Sequence, residues 1–260
     1  MNIMNFLIDI STEMIAGTII FILGFIGAKL PHSVDKYKLR KFFGDALFKN
    51  DCSIVYGMLT KIPDENIELK KPLYEKKYHD GKGWKVPLFS TVTSDGLFQS
   101  HSYIVQSLAS FRKKSFVILT DKEALKNLNS TFICLGGSII NELTQWAINE
   151  KSNEFLKFSI PKILYETPIT IDVISDSTNK LSFKSSAEKD YGMILKIKNS
   201  RFPKHYFFVC AGIRTTGSIS AAWYLSEKWK NLQNEFGNKE FGIVLEVNKG
   251  IITSATRVYP

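Results

Sequence analysis

The stretch that most constrains the fold is His205–Leu225, HYFFVCAGIRTTGSISAAWYL. It combines an apolar strand (Tyr206–Cys210), a loop of small residues (Ala211–Ser218) and an amphipathic helix that begins near Ser218. A strand, a small-residue loop and a helix in this order predict one unit of an α/β fold. In such a unit the backbone N–H groups and the helix N-terminus are placed to bind an anionic ligand.

A second unit of the same kind lies earlier in the chain. The strand Thr131–Leu135 is followed by the loop Gly136-Gly137-Ser138 and by a helix predicted over Ile139–Asn149. Because the carboxyl ends of parallel strands meet at one edge of a sheet, we expect the two loops to share the ligand edge of the fold.

Strands and helices alternate through most of the chain, which is typical of α/β proteins. Helices are predicted from about Leu97 to Phe111 and from Asp121 to about Leu128. Further strands are predicted at Cys52–Tyr56, Phe116–Leu119, Phe155–Ile160, Ile169–Ile174, Leu181–Lys184, Tyr191–Lys198 and Phe241–Val247, with Ile251–Val258 pairing at an edge. Tyr191–Lys198 and Tyr206–Cys210 are predicted to form a hairpin around Asn199–Lys204. The sequence therefore predicts a Rossmann-like mixed, mainly parallel sheet with helices on both faces and an antiparallel extension.

The segment Lys61–Phe89 interrupts this pattern. It is polar and lysine-rich, contains three prolines, and carries the turn signal His79-Asp80-Gly81. We predict a long irregular insertion. A lid over a site and a disordered excursion are both compatible with it.

The N-terminal segment is apolar. Met14–Ala28 contains no charged residue, and Lys29 follows it directly. The sequence predicts a single transmembrane anchor within residues 1–31, with a buried core helix as the alternative. Basic residues follow the apolar run and acidic residues precede it, so the positive-inside rule places the N-terminus outside, the C-terminal domain in the cytoplasm and the protein in the inner (plasma) membrane.

Two further predictions depend on this anchor. Gly17, Gly24 and Ala28 share one helical face, which favours self-association of two helices, although ordinary glycine use in membrane helices also explains them. Residues 32–50 are predicted as a basic juxtamembrane linker whose lysines lie on anionic lipid, and residues 51–260 as a cytosolic Rossmann-like domain.

The chain is basic, with 34 Lys and Arg against 25 Asp and Glu and a net charge of +9. This balance indicates anionic partners, or simply a solvated, lysine-rich surface. No dense basic and aromatic run is present, so nucleic acid is not an expected partner. Cys52, Cys134 and Cys210 lie in apolar runs without metal-ligand spacing, so we expect buried, reduced thiols and no metal site.

The loops carry the candidate ligand-binding residues. Gly212 and Gly217 have Walker A spacing, but Ser218 stands where the phosphate-binding lysine would be, which argues against ATP or GTP hydrolysis. What remains is a loop that can bind an anion through backbone, hydroxyl and guanidinium groups, or a tight turn whose glycines serve packing alone. The candidates are Gly136, Gly137, Ser138, Asn141, Thr144, Gly212, Arg214, Thr215, Thr216, Gly217 and Ser218.

Candidate catalytic residues are few. Glu142 lies at the start of a helix and Glu246 at the end of a core strand, so either carboxylate is a candidate general base. Solvated or paired glutamates are the alternative interpretation of both. The four histidines show no spacing typical of a metal site or a catalytic triad.

Three short motifs carry a resemblance to a known type of domain. The first is GGS-x-x-N-x-x-T over Gly136–Thr144, and the second begins with the Tyr191-Gly192 pair and ends at Asn199. The third is V-x-AG-x-x-x-x-G-x-x-x-AA over Val209–Ala222. The region of about residues 52–250 resembles a bacterial and archaeal Rossmann-like module, and is similar to the nucleotide-sensing domains of SLOG type in phage-defence systems. The resemblance implies a nucleotide-like ligand, bound by Gly136, Gly137, Asn141, Gly212, Thr215 and Gly217.

The first functional hypothesis is therefore a membrane-anchored signalling module that senses a nucleotide or a related small anion. The second is a hydrolase that cleaves a nucleotide or an NAD-like substrate with Glu142 or Glu246. The third is a scaffold whose site is vestigial. No cofactor is certain, and a nucleotide is the expected ligand.

Overall fold

The computed structural model is an α/β protein and describes residues 33–49, 51–57, 60–61, 73–77, 83–87, 92–112, 115–138, 140–159, 173–178 and 180–260. In chain order its elements are α1 (33–43), α2 (Ala46–Lys49), β1 (Cys52–Tyr56), β2 (Thr60–Lys61), β3 (Leu73–Lys77), β4 (Gly83–Pro87), α3 (Val92–Leu108), β5 (Val117–Thr120), α4 (Asp121–Lys126), β6 (Thr131–Leu135), α5 (Glu142–Ile148), β7 (Leu156–Ser159), β8 (Val173–Asp176), β9 (Ser182–Lys184), β10 (Lys189–Lys198), β11 (Tyr206–Gly212), α6 (Thr215–Phe236), β12 (Phe241–Asn248) and β13 (Thr256–Tyr259). Short 3-10 turns follow α3 and precede β13.

The central sheet has seven strands in the order β13-β12-β10-β11-β6-β1-β5. Strands β5, β1, β6, β11 and β12 point in one direction, and β10 and β13 point in the other. The hairpin of β10 and β11 pairs Gly192 with Gly212 and Lys198 with Tyr206. The predicted mixed, mainly parallel sheet with an antiparallel extension is confirmed.

The order of the strands reverses next to β1. The chain passes from β1 to β5 on one side and then returns to β6 on the other side, with Ile54 paired to both Ile118 and Ile133. In open α/β sheets such a reversal opens a crevice at the carboxyl ends of the strands. Strands β1, β6 and β11 end at the same edge of the sheet, and both small-residue loops begin there. We call this edge the 'loop edge'.

Helices cover both faces of the sheet, as predicted. On one face, buried residues of α1, α3 and α6 such as Phe42, Ile104 and Leu225 pack in a single apolar cluster. On the other face, α4 and α5 pack together with β7 and β8, for example through Leu143 and Leu156. The central strands are therefore buried on both sides, which explains why β6 reads as a continuous apolar run.

The region predicted as an irregular insertion contains regular structure. Strands β2, β3 and β4 form a three-stranded antiparallel sheet in which Tyr74 pairs with both Lys61 and Val86. The prediction of an irregular segment is therefore wrong for these strands, because their polar composition lacks the apolar alternation by which strands are recognised. The rest of Lys61–Phe89 lies outside the described residues.

The segment predicted as a juxtamembrane linker packs into the domain. Leu39, Phe42, Phe43 and Leu47 are completely buried. The Phe43 and Phe208 ring centroids are 4.6 Å apart, and Phe42 stacks on a second core phenylalanine. Residues 33–49 are thus an amphipathic part of the fold whose lysines cover its outer surface, and the linker prediction is corrected accordingly.

Among the helices of the described ranges, none combines the length and the apolar character needed to cross a lipid bilayer. This finding overturns the prediction of a single-pass transmembrane architecture and, with it, the predicted inner-membrane location. The predicted span Met14–Ala28, and the helix face formed by Gly17, Gly24 and Ala28, lie outside the described residues.

Candidate functional site

The structure brings the two small-residue loops together at the loop edge. Strands β6 and β11 are parallel neighbours in which Leu135 pairs with Cys210. Directly beyond this pair, the backbone N–H of Gly136 donates to the Cys210 carbonyl at 3.0 Å. The loop after β6 and the loop after β11 therefore lie side by side, as the sequence predicts.

Asn141 joins the strands on both sides of the reversal. Its side-chain Nδ2 donates to the carbonyls of Val55 at 3.1 Å and Leu135 at 3.0 Å, the carboxyl ends of β1 and β6. Its Oδ1 accepts the N–H of Thr144 and so caps α5. Asn141 is completely buried and its amide is used within the protein, so this candidate ligand residue links β1 to β6 and caps α5.

The loop after β6 is compact. Gly136 has a φ of +93°, a backbone conformation that favours glycine, and its carbonyl accepts the hydroxyl of Thr144 at 3.0 Å. The Gly137 carbonyl accepts the N–H groups of Ile140 and Asn141. Ser138 is 2% exposed, and its Oγ has no hydrogen-bond partner among the described residues. An unpaired buried hydroxyl is costly, so the Ser138 hydroxyl is the group of this loop that still has hydrogen-bonding capacity to satisfy.

The N-terminus of α6 is occupied by a carboxylate of the protein itself. Asp190, on β10, is completely buried, and its Oδ2 accepts the N–H of Gly217 at 2.6 Å. The N–H groups of Tyr191, at 2.9 Å, and Arg214 also donate to this carboxylate. Burial raises the pKa of Asp190, and the three N–H donors oppose that rise. The anion that the sequence predicts at this helix is thus supplied from within the chain.

Glycines allow α6 to approach β10 and β11 this closely. A Cβ on Gly217 would collide with the Tyr191 carbonyl, and a Cβ on Gly192 would collide with the Gly217 carbonyl. A Cβ on Gly212 would collide with the backbone of Gly217 and Ser218. Gly212 and Gly217, both predicted ligand residues, therefore serve the contact between helix and strands.

The polar groups of the second loop that still face outward are few. Arg214 is exposed at the N-cap of α6, and no contact of its guanidinium is found within the described ranges. Thr215 and Thr216 are half-buried, and the hydroxyl of Ser218 donates to the Arg214 carbonyl at 3.3 Å. Arg214, Thr215 and Thr216 are the predicted residues that remain accessible to a ligand.

The two candidate catalytic glutamates are engaged in different ways. Glu246 forms an ion pair with Lys189 and accepts the Tyr191 hydroxyl at 2.8 Å. The Lys189 hydrogen bond, followed by that of Tyr191, lowers the pKa of Glu246, while burial and the bond to Glu246 raise the pKa of Tyr191. Glu246 is thus held as a paired carboxylate.

Glu142 is 3% exposed at the start of α5, and its backbone N–H donates to the buried Asp121 carboxylate at 2.8 Å. A carboxylate buried to this degree has little access to a substrate in solution. The structure does not bring Glu142 and Glu246 together. Glu142 lies on α5, after β6, and Glu246 lies on β12, in the opposite half of the sheet.

The thiols and histidines form no reactive cluster in the part of the chain that the structure describes. Burial raises the pKa of Cys52 to about 12 and also raises the pKa of Cys134 and of Cys210. No group of three His, Cys, Asp or Glu residues in the described ranges could hold a metal ion.

Fold and site together define an α/β domain with a reversed strand order, two loops at one sheet edge, and an internally capped helix beside them. Comparison with known proteins finds no matching family model and no matching curated relative. Asp190, Lys189 and Tyr191 are the polar residues of this edge that sequence reasoning missed. The sequence around Asp190 contains no local signal for this contact, because β10 carries three lysines and an aspartate at its start is typical of an exposed strand end.

Proposed function

We propose that the protein is a binding module for a small anionic ligand at the loop edge. The observation that carries the proposal is the adjacency of the two loops, fixed by the hydrogen bond from Gly136 to Cys210 at 3.0 Å. It gathers the exposed guanidinium of Arg214, the hydroxyls of Thr215 and Thr216, and the loop that contains Ser138 at one edge of the sheet.

The chemistry of this edge favours binding over catalysis. A general base needs an accessible carboxylate with a pKa near the working pH. Glu246 is paired with Lys189 and its pKa is lowered, and Glu142 is buried. Arg214, by contrast, offers a planar cation suited to a phosphate or carboxylate group.

The resemblance of the loop motifs to nucleotide-sensing modules supports a nucleotide as the ligand. We therefore place a nucleotide first, with a sensing role in which binding changes the contacts of the loop edge. Asn141, Gly212 and Gly217 have roles within the fold that explain their presence without any ligand. For this reason the second candidate function is the scaffold.

The test is calorimetric titration of the full chain with cyclic AMP, AMP, NAD, ATP and inorganic phosphate. We expect at least one nucleotide to bind, and we expect Arg214→Gln to weaken that binding about tenfold, the effect of losing one charge-assisted hydrogen bond. Turnover is followed in parallel by chromatography of the titrated nucleotides.

Arg201→Gln is the matched control. Arg201 is also exposed, but it lies between β10 and β11 at the opposite edge of the sheet, where its guanidinium is 5.4 Å from the Trp146 ring centroid. The Arg201→Gln variant removes the same charge as Arg214→Gln and leaves the two loops unaltered. Equal losses of affinity in both variants would show that Arg214 acts only through the net charge of the protein. Absence of binding across the panel would favour the scaffold, and turnover abolished by Glu246→Gln would favour the hydrolase.

A further inference from the structure

We infer that Asp190 is the specificity-determining residue of the loop edge: its carboxylate excludes ligand phosphates from the first turn of α6, so that the ligand is a monoanion rather than a di- or triphosphate. This inference rests on the proposed function, because it concerns the ligand of the same surface. Its structural basis is the completely buried side chain of Asp190 beneath that turn.

The first step is that three of the backbone donors that could hold a phosphate here are already used. The N–H groups of Gly217 and Arg214 donate to Asp190, and the N–H of Ser218 donates to the Arg214 carbonyl at 3.2 Å. Di- and triphosphates bound at helix N-termini depend on such backbone donors. A ligand phosphate at this position would have to displace the carboxylate.

The second step is electrostatic. A helix N-terminus carries about half a positive charge, so a full carboxylate beside it leaves the position negative. Lys249 lies near enough to offset part of the Asp190 charge, and its ammonium keeps its own charge while it donates to the Ser186 carbonyl. The cation that remains exposed beside the loop is Arg214. One guanidinium matches one negative charge, and each further charge on the ligand is repelled by Asp190.

The third step concerns geometry. Gly217 and Gly192 are in backbone contact, and neither tolerates even a Cβ. Helix α6 therefore cannot withdraw from β10 without losing this packing, and the Asp190 carboxylate cannot be bypassed. The site takes its ligand at the outer surface of the loop, where Thr215 and Thr216 provide hydroxyls.

The experiment titrates the full chain with cyclic AMP, AMP and ATP, which share base and ribose and carry increasing negative charge. In the natural protein we expect the affinity to fall about tenfold from cyclic AMP to AMP, as for one added charge a few ångströms from a carboxylate, and to fall further from AMP to ATP, which adds about two charges. In Asp190→Asn we expect ATP to gain at least about tenfold relative to cyclic AMP.

Asp176→Asn is the matched control. Asp176 is also a buried carboxylate, accepting the Leu181 N–H at 3.1 Å and the Thr178 hydroxyl, but it is the last residue of β8, in the small sheet of β7, β8 and β9. The Asp176→Asn variant should leave the order of affinities for cyclic AMP, AMP and ATP unchanged. If Asp190→Asn fails to fold, Asp190→Ser keeps an acceptor for the Gly217 N–H and removes the charge.

The outcomes separate this inference from the proposed function. ATP binding to the natural protein as tightly as cyclic AMP, with no change in Asp190→Asn, overturns the inference and leaves the proposed function intact. If no nucleotide binds either protein, the proposed function fails. Inorganic phosphate then decides: a rise in the melting temperature of Asp190→Asn alone supports exclusion by Asp190, and no rise in either protein overturns it.

Discussion

The two ends of α6 meet opposite buried charges on the same strand. Asp190 and Lys196 lie on one face of β10, and both are completely buried. Asp190 accepts N–H groups at the start of α6, whereas the Lys196 ammonium donates to the Gly237 carbonyl, directly after its end, at 3.2 Å. Each charge has the sign that the helix dipole favours at that end.

The two charges differ in how they are satisfied. Three backbone N–H groups converge on Asp190. Lys196 has a single carbonyl and three aromatic rings, with Nζ 4.9, 5.0 and 5.9 Å from the centroids of Phe42, Tyr206 and Phe208. Burial lowers the pKa of Lys196 to about 7, because rings replace only part of the hydration of an ammonium. Because Asp190 accepts three directional hydrogen bonds, α6 is held more firmly at its N-terminus, at the loop edge, than at its C-terminus.

Removal of the Asp190 carboxylate is expected to cost the most. Asp190→Ala leaves three buried N–H groups without an acceptor and should lower the free energy of unfolding by about 4 kcal/mol. Urea denaturation measures this change. Asp45→Ala is the control, since its ion pair with Arg40 is exposed and is worth less than about 1 kcal/mol. Equal costs for both variants would contradict the bracing role of Asp190.

The glycines at the two ends of α6 give the next largest effect. Gly217→Ala places a Cβ against the Tyr191 carbonyl and should cost about 3 kcal/mol, because helix and strand must separate. Gly237 has a φ of +58° with no atom within 4 Å of an added Cβ. Gly237→Ala should therefore cost only the backbone strain, about 1 kcal/mol. Melting temperatures of the two variants compare them directly, and the reverse order would show that strain, not contact, dominates.

Lys196 makes stability depend on pH. Its pKa is about 7 in the folded protein and 10.5 ordinarily, so between these values the unfolded chain binds more protons. The free energy of unfolding should therefore rise with pH across this window, by at most about 1.4 kcal/mol per pH unit, and Lys196→Met should remove that slope. Denaturation at several pH values from about 7 to about 9 tests it.

Lys228→Met, an exposed lysine on α6, is the control and should keep the slope of the natural protein. Lys196→Met should also be more stable than the natural protein by about 2 kcal/mol near pH 7, since an apolar side chain of similar volume replaces a buried charge. An unchanged slope in Lys196→Met would show that the rings and the Gly237 carbonyl satisfy the ammonium fully.

Sequence reasoning predicts the parts of this fold that depend on local patterns. Strands β1 and β6 are short, mainly apolar runs, and the predicted bounds match the observed ones. Helix α5 starts at Glu142 and not at Ile139, because Asn141 accepts the Thr144 N–H and sets the first turn. The adjacency of the two loops also followed from the sequence, since parallel strands end at one edge.

The parts that were missed depend on contacts between distant segments. Asp190 lies 27 residues before Gly217, and only the placement of β10 under α6 gives it a role. Nothing local distinguishes it from an exposed aspartate. The packing of 33–49 is different: Leu39, Phe42 and Phe43 recur at helical spacing, so a signal was present, but the surrounding lysines led to the interpretation of a membrane surface.

The smallest effect is expected from the ion pair between α1 and α6. The Asp35 carboxylate and the Lys230 ammonium are 2.6 Å apart, in the C-terminal half of α6, with the Lys230 side chain 52% exposed. Asp35→Asn should cost no more than about 0.5 kcal/mol, and that cost should vanish at high salt. Phe42→Ala is the comparison, because it removes a completely buried ring and one wall around Lys196 and should cost about 4 kcal/mol. Urea denaturation at low and high salt separates the two contributions. A large, salt-sensitive loss in Asp35→Asn would mean that charge, and not the aromatic contact around Lys196, holds α1 on the sheet.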